Sequence, residues 1–292
     1  GIFSAINQNK IFDIFIDYYP IILKGLFLII FGYFLRFIRW RIILFNLKID
    51  LPFWNDLLIW MGSYTFTATP GKAGETIRAF LLKDKFGTPI SKTLAAIFFE
   101  RFLDGLSVLS IVFLNYRLFI KWNFFEKLYL VNIKYLFFYL IITFLVIFFL
   151  KNYIKNFLRK VIPDGFLSNL KNFISQIRKL LSWEIIILTL PLGILSWIFE
   201  GMSLWILIRE ISSFKISLVG STIAHTLSGV IGVFSMIPGG LGTTEFSLVN
   251  FLYFQGLSLD VAASSTIIIR LMTIWFATFL GFIALSINRL KN

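Results

Sequence analysis

Arg101 and Arg270 each lie within a long apolar stretch. A charge at the centre of a bilayer costs about 2.5–3.5 kcal/mol on insertion scales, so such residues are functional candidates. A guanidinium stays charged and presents a planar fork that fits a phosphate bidentately. Phosphate binding is therefore the chemistry this pair suggests. For Arg101 the structural alternative is neutralisation by Glu100 or by Asp104 at i,i+3. Arg270 has no acid nearby in sequence and needs a partner from elsewhere, Glu245 or a ligand.

Two carboxylates add to the pattern. Glu75 ends Thr69-Pro70-Gly71-Lys72-Ala73-Gly74-Glu75, and Glu245 ends Ile237-Pro238-Gly239-Gly240-Leu241-Gly242-Thr243-Thr244-Glu245. At the first turn of a half-helix a carboxylate caps free N–H groups and meets the helix dipole. A partly buried one can also titrate near neutrality and couple transport to protons. Glu75, Glu245, Glu100 and Asp104 are thus candidates for a polar, coupling groove. Gly71, Gly74, Gly239, Gly240 and Gly242 permit tight backbone whose N–H groups could bind an anion. Lys72 and Arg78 could guide anionic head groups or anchor at an interface. His225 reads as a packed residue bonded to a neighbouring helix, ahead of a proton relay. Glu200, also intramembrane, has no partner visible in sequence.

The elements that must position these groups are membrane helices. Hydrophobic residues make up 58% of the 292 and charged ones 15%, with a mean hydropathy of +0.84, too apolar for an ordinary soluble domain. There is room for roughly six to eight spans at about 20 residues each. The formal charge of +13 fits lysine and arginine gathered in cytoplasmic loops rather than a nucleic-acid partner. With no cysteine and one histidine, disulfides, thiol chemistry and multi-histidine metal sites are excluded. No P-loop or nucleophile–base pair appears, which argues against ATP-driven transport and enzymatic chemistry. No cofactor is expected.

In order, residues 1–19 read as an interfacial helix or loop, and Pro20–Leu44 as a span. That span ends in Arg36-Phe37-Ile38-Arg39-Trp40-Arg41, a basic and aromatic end expected at the cytoplasmic interface. Trp54–Thr69 and Thr76–Lys83 flank the first Pro-Gly break as a re-entrant hairpin. Spans follow at Ser91–Leu114, Leu128–Leu150 and Glu184–Ile208, with a basic amphipathic connector at Lys151–Trp183. Ile216–Ile237 leads to the second break, Thr244–Phe254 leaves it, and Leu259–Ser286 closes the chain. The fold class expected is all-α: a polytopic membrane protein of about seven or eight helical segments forming one transmembrane domain. In lipid, broken helices are tolerated only where they are buried or line a cavity, and paired breaks point to a transporter's binding site.

The two halves can be superposed as repeats of about 50–117 and 216–288. Gly87 falls opposite Gly256, Ala95-Ala96 near Ala262-Ala263, and Arg101 opposite Arg270, at an offset of roughly 170 residues. An odd number of spans between the hairpins implies an inverted repeat. The charge rule agrees in placing Lys151–Lys179 inside, although Arg117, Lys121 and Lys127 then face outside. That orientation leaves the N-terminus outside unless another helix precedes Gly1.

The Arg-Trp-Arg end, PGKAGETIRAFLL (Pro70–Leu82), FFERFLDG (Phe98–Gly105) and IPGGLGTTE (Ile237–Glu245) together resemble the flippase-like transmembrane-region family of lysylphosphatidylglycerol synthases. The resemblance covers nearly the whole chain. It implies lipid translocation: bacterial synthase members are similar to flippases for aminoacylated phosphatidylglycerol, and archaeal relatives are linked to polyprenyl-phosphate sugar carriers. Many members have one more N-terminal helix, and no aminoacyl-transferase domain is present here. The expected function is a multi-pass lipid flippase of the cytoplasmic (inner) membrane, moving an anionic phospholipid or polyprenyl-phosphate lipid. A homo-oligomer or a lipid-synthesis enzyme are the possible protein partners. The alternatives are a secondary transporter of a small soluble anion and a non-transporting scaffold for a lipid-modifying enzyme.

Overall fold

A computed structural model describes residues 19–115 and 164–290. The segment before Tyr19, the expected span Leu128–Leu150 and the expected connector up to residue 163 lie outside the described residues. Within them every regular element is helical, as expected of an all-α membrane protein.

α1 (Tyr19–Asn46) is followed by α2 (Phe53–Gly62), which tightens into a 3₁₀ turn at Ser63–Phe66. The first break is a tight turn at Pro70–Thr76, and α3 (Ile77–Phe86) leaves it. α4 (Ile90–Leu114) starts after Pro89. α5 (Asp164–Leu180) leads into α6 (Trp183–Ile211) and α7 (Leu218–Phe234), whose N-termini are capped by the Ser182 and Ser217 hydroxyls. The second break is Pro238–Gly240, after which come α8 (Thr243–Phe254) and α9 (Leu259–Arg270). A π-helical turn, Leu271–Trp275, joins α9 to α10 (Phe276–Leu290) in one continuous span.

Among the described residues, three stretches are long and apolar enough to cross a membrane: Tyr19–Asn46, Trp183–Ile211 and Leu259–Asn288. α4 has 25 residues, about 37 Å at 1.5 Å per residue, but Lys92, Glu100, Arg101 and Asp104 make it less apolar. Phe27, Phe31 and Phe34 of α1, Leu109 and Phe113 of α4, and Ile187 and Leu188 of α6 are exposed, a surface suited to lipid. Inside, small residues let helices approach closely. Gly25 and Gly32 of α1 face Ser203 and Ser196 of α6, and Gly201 faces Thr222 of α7.

The arginines of α1 correct the sequence reading. α1 runs ten residues beyond Arg36, to Asn46, so Arg36 and Arg39 lie within the bundle, not at its edge. Arg39 is fully buried. Space for it comes from Gly193 of α6, where a Cβ would stand 2.9 Å from Arg39 Nη1. Arg41 turns instead to Asp56 Oδ2 at 3.1 Å and to the Leu51 carbonyl at 2.8 Å.

Candidate polar site where the two breaks meet

The two breaks abut: a methyl group on Gly71 would lie 2.9 Å from Met236 Sδ, and one on Gly239 would lie 3.7 Å from Ala68 Cβ. Their backbones also match. Thr69 and Ile237 are extended (φ/ψ −74/157° and −76/137°), and each is followed by proline. Next, Gly71 (φ 57°) and Gly239 (φ 65°) are left-handed, and so are Lys72 (φ 59°) and Gly240 (φ 61°). Gly87 and Gly256, which the sequence superposition places opposite each other, also have positive φ.

Around the first break lie two neighbouring ionic clusters. Arg78 is fully buried, with Nη1 at 2.8 Å from Glu100 Oε2 and Nη2 at 3.3 Å from Glu75 Oε2, and its guanidinium stacks 4.6 Å over the Trp40 ring. Arg39 pairs with Asp104 at 2.7 Å and reaches Glu100 at 3.9 Å. Arg101 pairs with Asp104 at 3.0 Å and, more loosely, with Glu75 at 3.5 Å. Arg36 pairs with Glu200 at 2.6 Å, and His225 Nε2 lies 3.0 Å from the other oxygen of that carboxylate. Four arginines thus face four carboxylates, which offsets the desolvation cost of burying either set alone.

Lys72 stands outside this balance. It is half-buried, and among the described residues it makes no ion pair. Glu75, Arg101, Arg36 and Asp104 are its charged neighbours. A left-handed backbone costs a non-glycine residue about 1–2 kcal/mol, so Lys72 is held there against its own preference. The Nε–H groups of Arg36, Arg39 and Arg101 are buried without a hydrogen-bond acceptor among the described residues. Arg101 keeps 33% of its side chain exposed.

At the second break, Arg270 donates to Glu245 Oε1 and to the Gly239 carbonyl, both at 2.6 Å, with 12% of its side chain exposed. Glu245 Oε2 also accepts from the Gly242 N–H at 2.7 Å, so the glutamate reaches back to the N-cap backbone at the start of α8. The same arginine–glutamate pairing, Arg101 with Glu75 and Arg270 with Glu245, therefore recurs in both halves.

Several expectations change. Glu75 is not a helix cap: it accepts from Thr67 Oγ1 at 3.1 Å and from Arg78. Three glycines expected to offer N–H groups to an anion already use them: Gly74 on Thr69 Oγ1, Gly240 on the Ile237 carbonyl and Gly242 on Glu245. Arg78 is too buried to guide or anchor at a surface. Sequence reasoning missed Arg36 and Arg39 as members of the clusters. Their i,i+3 spacing, the glycines Gly25 and Gly32 on α1, and the apolar residues continuing to Asn46 were the available signals. The Glu200–His225 contact joins two helices across 25 positions and leaves no local pattern.

Comparison with known proteins bears on this architecture. A family model described as the lysylphosphatidylglycerol synthase TM region matches residues 3–281. The chain belongs to this family. Its relatives include the UPF0104 membrane protein MJ1595 of Methanocaldococcus jannaschii, 25% identical over 312 aligned positions, covering 98% of this chain and 90% of that one. A UPF0104 membrane protein of Methanothermobacter thermautotrophicus is 24% identical over 269 positions, covering 85% and 79%. No solved structure matches the chain. Membership establishes an integral membrane protein of the synthase TM-region type.

Proposed function

We propose that the protein translocates a lipid with an anionic, phosphate-containing head group across the cytoplasmic membrane. The head group passes where the two breaks meet, while its chains stay in the surrounding lipid. The observation that carries this reading is Lys72, a strained and unpaired cation beside the third-exposed guanidinium of Arg101. A phosphate there would accept from both and from N–H groups that otherwise lack acceptors. We read Arg101 and Lys72 as the phosphate contacts, Arg39 and Arg78 as the charges that hold the carboxylates, and Arg270 with Glu245 as the brace of the second break. The matching break conformations and repeated arginine–glutamate pairs support an inverted repeat, the framework for alternating access. The family's description, which mentions lysylphosphatidylglycerol, favours a phospholipid; a polyprenyl-phosphate lipid offers the same phosphate.

The test is reconstitution into liposomes carrying a fluorescent phosphatidylglycerol or a fluorescent polyprenyl-phosphate lipid, with dithionite reporting outer-leaflet exposure. Wild-type protein should expose the inner-leaflet probe, whereas Lys72→Ala and Arg101→Ala should slow that exposure at least about tenfold, the effect of losing roughly 1.4 kcal/mol of binding. Protection of both probes in vesicles containing folded wild-type protein would reject lipid translocation.

A further inference from the structure

His225 takes no part in the phosphate contacts above, yet it occupies a built position. It is the chain's single histidine, lies midway along α7 and is 8% exposed. Its Nε2 is 3.0 Å from Glu200 Oε2, while Arg36 Nη1 holds Oε1 at 2.6 Å. Trp197 walls the pair: its ring lies 6.2 Å from the imidazole, and the Arg36 guanidinium lies 4.9 Å over the same indole. Three helices, α1, α6 and α7, thus converge on one carboxylate.

The chemistry of this contact fixes where a proton can land. A carboxylate already paired with a guanidinium is an acceptor, so Nε2 carries the hydrogen and Nδ1 keeps its lone pair. Nδ1 makes no hydrogen bond among the described residues. The other charged or titratable groups around the pair are Arg36 and Tyr33 from α1, Lys72 from the first break, and, beyond Arg36, Asp104 from α4 and Tyr64 from the first hairpin. On the second break and on α8 and α9, Glu245 and Arg270 are engaged with each other.

Charge balance then links this position to the anion. Arg36, Arg39, Arg78 and Arg101 are matched by Glu75, Glu100, Asp104 and Glu200, which leaves Lys72 as the uncompensated charge. An anion arriving at Lys72 removes that excess, and a proton on His225 restores it. Each ligand therefore favours the other, and such linkage is reciprocal.

We propose that Glu200 and His225 form a proton-carrying site coupled to the lipid anion. One proton binds His225 Nδ1 as a head group binds Lys72 and Arg101, and both leave on the opposite side. No covalent bond changes: the imidazole gains and then loses a proton, held as a cation against Glu200. With a lipid of one negative charge the cycle is electroneutral. This inference rests on the translocation reading above.

Two experiments separate the inference from that reading. The first is ¹⁵N NMR of histidine-labelled protein, purified without a histidine tag, in nanodiscs of phosphatidylcholine alone or with phosphatidylglycerol. The single imidazole should pass reversibly from one N–H to two as the pH is lowered, with a midpoint that differs between the two lipid compositions. An imidazole fixed in one state would overturn the proton site, and identical midpoints would overturn its linkage to the anion. The second follows fluorescent phosphatidylglycerol in proteoliposomes under an imposed gradient. One pH unit should support about tenfold accumulation in one leaflet, and a valinomycin-set potential should add nothing. Lipid movement indifferent to the gradient would reject coupling and leave translocation standing. A titrating histidine without lipid movement would instead reject translocation.

Discussion

The two breaks share a backbone and differ in what they place on it. Both run extended, proline, left-handed, left-handed. In the second, the fourth position is Gly240, where a Cβ would stand 2.9 Å from Gly232 Cα. Glycine is needed there for both its conformation and its size. In the first the equivalent residue is Lys72, accepted despite the left-handed backbone. The arginines behind them differ in the same sense. Arg270 is closed by a carboxylate and a carbonyl at 2.6 Å each, whereas Arg101 holds Asp104 at 3.0 Å and Glu75 at 3.5 Å and stays a third exposed. On the function proposed above, one scaffold serves as a brace in one half and as an open cationic site in the other.

Four changes should break or sharpen this contrast. Arg39→Met, beside the open half, leaves four buried carboxylates facing three arginines, with Asp104 held by Arg101 alone and Glu100 by Arg78 alone; breaking a buried pair costs about 3–5 kcal/mol. Thermal unfolding in detergent should show the largest loss of the series, and an unchanged transition would mean Arg39 does not hold the network. Gly240→Ala adds overpacking to left-handed strain, about 2–4 kcal/mol together; tolerance at that position would dissolve the steric difference between the breaks. Arg270→Gln should cost about 1–3 kcal/mol through its two charged hydrogen bonds, and the probe-exposure assay should retain most of its rate once the protein is folded. Lys72→Gly has the smallest effect on stability and the opposite sign. Relief of strain should stabilise by up to about 1 kcal/mol, while lipid movement falls. A destabilised Lys72→Gly protein would show that the lysine serves the fold instead.

Much of this architecture is legible in the residues because lipid imposes simple rules. Proline and glycine next to charge mark broken helices, and apolar length marks spans; the expected Leu259–Ser286 became one run through a π turn, and Thr244–Phe254 differs by one residue at its start. The recurring Pro-Gly break and arginine order pointed to the residues that the fold brings together. Arg36 and Arg39 were misplaced because a basic-aromatic helix end and a buried ionic cluster look alike in sequence. They differ only in whether acids on other helices face them, and Asp104, Glu100 and Glu200 come from α4 and α6. Likewise, the sequence set Arg270 against Glu245 or a ligand and Arg101 against Glu100 or Asp104, and the Arg101–Glu75 contact emerged only in the fold. The tightness of these pairs depends on the Gly239 carbonyl and on Arg78, which only the fold supplies.

The most direct test of the contrast is lipid retention by native mass spectrometry, comparing phosphatidylglycerol with phosphatidylcholine bound to wild type, Lys72→Gly, Arg101→Gln and Arg270→Gln. Preferential retention of phosphatidylglycerol should survive in wild type and Arg270→Gln and disappear in the two variants of the first break. Equal loss in Arg270→Gln, or full retention in Lys72→Gly and Arg101→Gln, would contradict an open anion site confined to the first break.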